Sequence, residues 1–138
     1  MDLKDFKSNL EEEVRDLFIV GCFTGLRFSN FSNIKSNDVL NGMIDLIEVK
    51  TNEKILIPIH PSVRNILNKY NSKLPKSPSN QEFSRTLKDI CQRIPELEVE
   101  FSKKITKGRV KRIIKKKKWE MVMTHTARRS FCTNMYNK

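Results

Sequence analysis

The sequence is short of cysteine, and Cys22, Cys91 and Cys132 are odd in number, far apart and without CxxC spacing. That pattern offers neither a disulfide framework nor a zinc site, so reduced thiols are expected, with Cys22 packed among apolar neighbours. Long apolar runs are missing as well: none reaches the roughly 18 residues that span a bilayer, so no membrane partner is expected. The start, Met1-Asp2-Leu3-Lys4-Asp5, lacks the basic-then-apolar order of an export signal, which points to a cytoplasmic protein. No internal repeat is present, and 138 residues, 38% hydrophobic, suit a single domain over 1–138 with one core.

Acid is what the C-terminal part lacks. Residues 1–100 carry 14 Lys/Arg against 15 Asp/Glu, whereas residues 101–138 carry 13 against Glu120 alone, which accounts for the net charge of +11. Charge of one sign gathered in one segment implies a polyanionic partner. Nucleic acid is favoured over a membrane surface, because no helix with a bulky apolar face accompanies the charge. The densest stretch holds Lys103, Lys104, Lys107, Arg109, Lys111, Arg112, Lys115, Lys116, Lys117 and Lys118, ten cations in 16 residues. Few aromatics are interleaved, so contact with a nucleic-acid backbone is expected rather than base stacking. A merely solvated basic segment is the plain alternative.

Periodicity supplies the architecture. Val14, Leu17, Phe18, Gly21 and Cys22 recur at helical spacing between Leu10 and Thr24, with Glu11, Glu12 and Glu13 in the first turn and Gly25 as the C-cap. A second short helix is expected from about Ser29 to Ile34, which puts Arg27 at the turn between the two. From Asp38 the period drops to two, giving strands near Val39, Met43 to Val49 and Lys54 to Ile59. They are joined at Asn41-Gly42 and Thr51-Asn52, and Lys50 falls at the second tip. Pro61 opens a helix to about Tyr70, and Ser79 caps another that Pro95 stops. Val99 to Phe101 and Val110 to Ile114 form a basic hairpin through Lys107-Gly108. Thr124 is expected to cap a last helix that turns Ala127, Phe131 and Met135 toward the core. The fold class is α+β, mainly helical, with a small three-stranded antiparallel meander and an additional basic β-hairpin. Taken singly, His60, His125 and Trp119 each have a structural reading, with Trp119 anchoring the basic segment to the core.

Three boxes in order carry more than any one of them. Phe23-Thr24-Gly25-Leu26-Arg27-Phe28-Ser29, then Val49-Lys50-Thr51-Asn52-Glu53-Lys54, then His125-Thr126-Ala127-Arg128-Arg129-Ser130-Phe131 together resemble the tyrosine recombinases, or phage integrases. The form T-H-T-A-R-R-S-F is similar to integrases of Bacteroidetes mobile elements. The resemblance implies a site-specific recombinase that cuts double-stranded DNA through a 3′-phosphotyrosyl intermediate, without cofactor or metal. Arg27 and Arg128 would hold the non-bridging phosphate oxygens, Lys50 (or Lys54 in its place) would protonate the leaving 5′-oxygen, and His125 would bond the phosphate. Two guanidiniums suit that charge because each is planar and always protonated. Arg129 and the basic hairpin would contact the DNA backbone.

The departures from that pattern are specific. The family carries an acid three residues beyond the first arginine to orient it, and here Asn30 stands there. The nucleophilic tyrosine and the box before it lie well beyond H-x-x-R in the family. Tyr136, eight residues past Arg128, and Tyr70, in a core-facing pattern, are both rejected for that role. The expectation is an incomplete catalytic domain, without the family's N-terminal DNA-encircling domain, monomeric and unable to cleave alone, whereas the complete protein self-associates on DNA. The alternatives are a non-catalytic basic nucleic-acid-binding module and a decayed integrase retained as a DNA-bound regulator.

Overall fold

The computed structural model describes residues 6–136, so the reading of Met1 to Asp5 lies outside the described residues. Helix α1, Asn9–Thr24, starts where Ser8 Oγ accepts the Glu11 N–H and stops at Gly25, whose left-handed φ of 71° lets its own N–H reach Gly21 O. Val14, Leu17, Phe18 and Val20 are buried on this helix. It is followed by α2, Phe28–Phe31, and later by α3, Pro61–Lys69, α4, Asn80–Gln92, and α5, Thr124–Tyr136. Helix α1 is central, packing against α3, α4 and α5. Gly21 permits this: a Cβ there would come within 2.9 Å of the Phe31 ring and 3.0 Å of Ala127 Cβ. Phe28, Phe31 and Phe83 meet edge to face, joining α2 to α4.

One buried acid ties α1 to α3. Asp16, only 2% exposed, accepts Lys69 Nζ at 2.8 Å and the Tyr70 hydroxyl at 2.7 Å. Such a carboxylate is tolerable in the core only because both oxygens find donors or cations.

The three-stranded sheet runs β1 (Val39–Leu40), β2 (Met43–Ile47), β3 (Lys54–Pro58), antiparallel, in sequence order. Asn41 and Gly42, both with positive φ, make the first turn. Ile44 and Leu46 of β2 face the core, with Ile55 and Ile57 of β3 half-buried beside them. At the far end Glu48 N–H donates to Glu53 O and Asn52 N–H to Glu48 O, both at 2.8 Å, so the tip spanning 48–53 is a folded turn. Strands β4 (Glu100–Lys107) and β5 (Val110–Lys117) pair only with each other among the described residues, and only Ile105 and Ile114 are partly covered. At about 3.4 Å per residue the ribbon is roughly 27 Å long. Its base is fixed by the Lys118 N–H to Val99 O bond at 2.9 Å, by Lys117 Nζ on Glu98 at 2.8 Å, and by Trp119 against the core.

The α+β class, the meander and the basic hairpin are as expected, and several details differ. Helix α2 ends at Phe31 rather than Ile34: the Ser32 hydroxyl folds back on Phe28 O, and the next N–H, that of Asn33, closes a tighter turn to Asn30 O at 3.1 Å. Helix α4 ends at Gln92, before Pro95 acts, and Pro95 instead starts a short 3-10 turn. The ribbon strands extend well past the expected bounds. Thr124 is the first residue of α5 rather than its cap; its hydroxyl donates to Asn80 Oδ1 at 3.1 Å, while Thr126 Oγ1 accepts the Met123 N–H. Met135 is 55% exposed rather than turned into the core, because it lies at the open mouth of an apolar cleft with Cys22, Ile57 and Phe131.

Candidate nucleic-acid interface

Each residue of the T-G-L-R box has a local task. Thr24 Oγ1 donates to Val20 O at 2.8 Å and accepts the Leu26 N–H at 3.4 Å, closing the end of α1. Gly25 takes the left-handed turn, and Leu26, 5% exposed, pins the segment to the core. Arg27 then stands at the N-cap of α2 with extended backbone, and its carbonyl accepts the N–H groups of Asn30 and Phe31. Its half-buried side chain is thereby aimed from a turn held on both sides.

What Arg27 meets is Glu48. Nη1 donates to Glu48 Oε1, and the other carboxylate oxygen accepts Thr51 Oγ1 at 2.7 Å. The Thr51 bond does most to hold the Glu48 carboxyl below its ordinary range, and the charges of Arg27 and Arg128 act in the same direction. Two arginines from distant parts of the chain therefore act on one carboxylate. Asn30, buried at 4% exposure, does not take the place of an acid beside Arg27. Its Oδ1 accepts the Val49 backbone N–H at 3.1 Å, and its Nδ2 is buried without a partner.

Helix α5 brings His125 and Arg128 one turn apart on one face, His125 exposed and Arg128 half-buried. His125 forms the wall between two openings. One, about 470 Å³, is lined by Arg27, Ser29, Asn80, Ser84 and Thr124; the other, about 630 Å³, by Arg128, Arg129 and Cys132. Arg27, His125 and Arg128 thus belong to one continuous surface. Lys50 is exposed at the hairpin tip, two residues past Glu48. Lys54 is the first residue of β3, next to the tip, and its exposed side chain puts Nζ 3.5 Å from Asp45 on the neighbouring strand.

Among the basic residues, Lys103, Lys104, Lys107, Arg109, Lys111, Arg112, Lys115, Lys116, Lys117, Lys118 and Arg129 are all exposed. The strand register sets Lys103, Lys107, Arg112 and Lys116 on one face of the ribbon, and Lys104, Lys111, Lys115 and Lys117 on the other. Both faces are cationic. Glu48 escaped the sequence reading, although its place two residues before Lys50 was visible and Asn30 had left an acid unaccounted for.

These elements define an α+β protein whose cationic face is assembled from a T-G-L-R turn, a hairpin tip and an H-x-x-R helix. The model of the phage integrase family matches residues 3–138, and the chain belongs to that family. Its members are the tyrosine recombinases, which integrate and recombine DNA. No curated protein and no solved structure gives a significant match. Among the described residues, no helix is long and apolar enough to cross a membrane.

Proposed function

We propose that this chain is the DNA-binding catalytic core of a site-specific tyrosine recombinase, of the kind carried by Bacteroidetes mobile elements. Arg27 and Arg128 bind the non-bridging oxygens of one phosphate in double-stranded DNA. Strand cleavage by a tyrosine adds charge to those oxygens, and preorganised guanidiniums stabilise it without reorganising. His125 bonds the same phosphate from between the two openings. Lys50 protonates the leaving 5′-oxygen, a step contributing on the order of 10²–10⁴ in rate. The observation that carries the reading is geometric: Arg27, paired with Glu48, and Arg128 line two adjoining openings that have His125 in common.

Neither tyrosine is assigned as nucleophile. The Tyr70 hydroxyl donates to Asp16 on the α1–α3 side, and burial with that carboxylate raises its pKa, the reverse of activation. The side chain of Tyr136 lies outside what is described. The chain is proposed to act in the cytoplasm as a monomer that binds DNA without cutting it. Incubation with a nicked suicide duplex should leave no covalent protein–DNA adduct; an adduct overturns this part. Arg27→Ala and Arg128→Ala should each weaken orthovanadate binding at least tenfold, the loss of a charge-assisted bond of roughly 1.5–3 kcal/mol.

The exposed, doubly cationic ribbon favours a second reading, a basic module that binds nucleic acid through β4–β5 alone. Replacing Lys115 to Lys118 by glutamine separates the two. All binding vanishes in the second reading, whereas orthovanadate binding survives in the first.

A further inference from the structure

Arg27 is a long, half-exposed side chain that has to present its remaining donors in one direction. It has five N–H donors in a rigid fork, and the bond to Glu48 engages Nη1, leaving Nη2 and Nε for an incoming anion. Glu48 is itself held: Thr51 Oγ1 occupies its second oxygen, and its backbone N–H and carbonyl bond Glu53 and Asn52 across the tip. Its single negative charge is paired with Arg27, and Arg128 lines the adjoining opening, so the surface stays net positive and still attracts an anion. The residue on the adjacent α2 turn that could have done this work, Asn30, is committed to the Val49 N–H.

We propose that Glu48 is a positioning residue for Arg27, fixing its guanidinium from the Lys50 hairpin and linking the phosphate clamp mechanically to the tip that carries the proton donor. This rests on the recombinase reading of the clamp. The junction has two consequences. Phosphate bound by Arg27 meets a guanidinium already oriented, and movement of the tip that carries Lys50 is felt at Arg27. Only Val49 separates Glu48 from Lys50, so the proton donor and the clamp cannot be set independently.

The test compares parent, Glu48→Gln, Glu48→Gln with Asn30→Asp, and Arg128→Ala. Two readouts are used: orthovanadate affinity, and the side-chain NMR signals of Arg27 in the ligand-free protein. Glutamine keeps the size and the Thr51 contact but removes the charge. The Asn30→Asp change keeps an oxygen for the Val49 N–H and places a second where the unpartnered Nδ2 now lies. Glu48→Gln should lower the melting temperature at neutral pH only by the small stabilisation its carboxylate contributes, average the two Arg27 Nη signals, and weaken orthovanadate about tenfold, the scale of one charge-assisted bond. Restoring the carboxylate at position 30 should recover distinct Nη signals and most of the affinity. Equal or tighter orthovanadate binding by Glu48→Gln overturns the proposal, since the carboxylate would then be a bystander or a competitor for the anion seat. A loss that Asn30→Asp does not repair overturns it too, as a failure of the tip's fold. The clamp itself is judged separately: if parent and Arg128→Ala bind orthovanadate equally, or neither binds, the recombinase reading fails, while the Arg27 signals still report on Glu48.

Discussion

Asn30 Oδ1 accepts the Val49 backbone N–H at 3.1 Å, so a buried side chain on α2 holds the hairpin tip one residue before Lys50. Removing it strands a backbone donor and leaves a gap. Asn30→Ala should lower unfolding free energy by about 1–3 kcal/mol in urea titration. Amide exchange at Val49 should quicken more than at buried Ile44 of β2. Equal acceleration at both positions would mean the loss is global rather than a loosened tip.

Gly25 combines a left-handed backbone with a ring against its Cα: a Cβ there would lie 2.4 Å from Phe131 Cδ1. Gly25→Ala should therefore cost roughly 2–4 kcal/mol, from strain at positive φ together with overpacking of α1 on α5. Thermal melting gives the size of the effect. A drop in orthovanadate affinity should accompany it, because Arg27 is aimed from the turn that Gly25 makes.

Salt dependence reports the ribbon. When Lys115, Lys116, Lys117 and Lys118 are replaced by glutamine, the slope of log duplex affinity against log salt should become shallower. The change should be about 0.9 for each phosphate that the chain no longer neutralises. Lys117 is engaged with Glu98 in the DNA-free chain, so its single replacement should change the slope least of the four. A slope that does not change removes the ribbon from the DNA interface.

Acid should weaken the fold in a defined window. For Glu11, burial works to raise the pKa, but the Lys7 N–H and Arg93 outweigh it. For Glu48, the Thr51 hydroxyl leads the lowering and the arginines follow. Both carboxyls thus titrate below their ordinary 4.5. A depressed folded-state pKa means that the stabilisation is complete above pH 4.5 and is lost as pH falls through the folded values. Urea midpoints should therefore stay level from neutral pH to about pH 5 and then fall, and Glu48→Gln should flatten part of that decline.

Thiol chemistry probes the α5 surface. Burial pushes Cys22 and Cys91 up to about 11, while Cys132 is exposed in the opening shared by His125 and Arg128. Iodoacetamide at about pH 8 should modify Cys132 first, and duplex DNA should protect it. Fast labelling of Cys22, or no protection, counts against the proposed DNA-facing surface.

Much of this was legible in the chain because local rules govern it. Ser79 capped its helix, Gly25 stopped α1, and Asn41-Gly42 turned the meander as their chemistry dictates. The reach of the ribbon was not legible, because Lys115 to Lys117 carry no strand-like alternation and only cross-strand bonding keeps them extended. The family boxes picked out Arg27, Lys50, His125 and Arg128, and the folded chain brings Arg27, His125 and Arg128 to one surface. Glu48 required the fold: nothing local distinguishes it from a solvated turn acid until β2–β3 carries it back to Arg27. Met135 misled because helical spacing says which face a residue shares, not whether a neighbour covers that face.

The ribbon also bears on how the protein behaves in concentrated solution. Among the described residues, each of its strands has one edge whose backbone donors and acceptors meet no other strand, beside exposed Phe101, Val110 and Ile113. Such an edge would template a further strand, and what keeps two molecules apart there is repulsion between lysines. Repulsion reaches about 10 Å at 0.1 M salt and only about 3 Å at 1 M. High-salt purification, the usual way to strip nucleic acid from a basic protein, thus removes the guard from its own most adhesive edge.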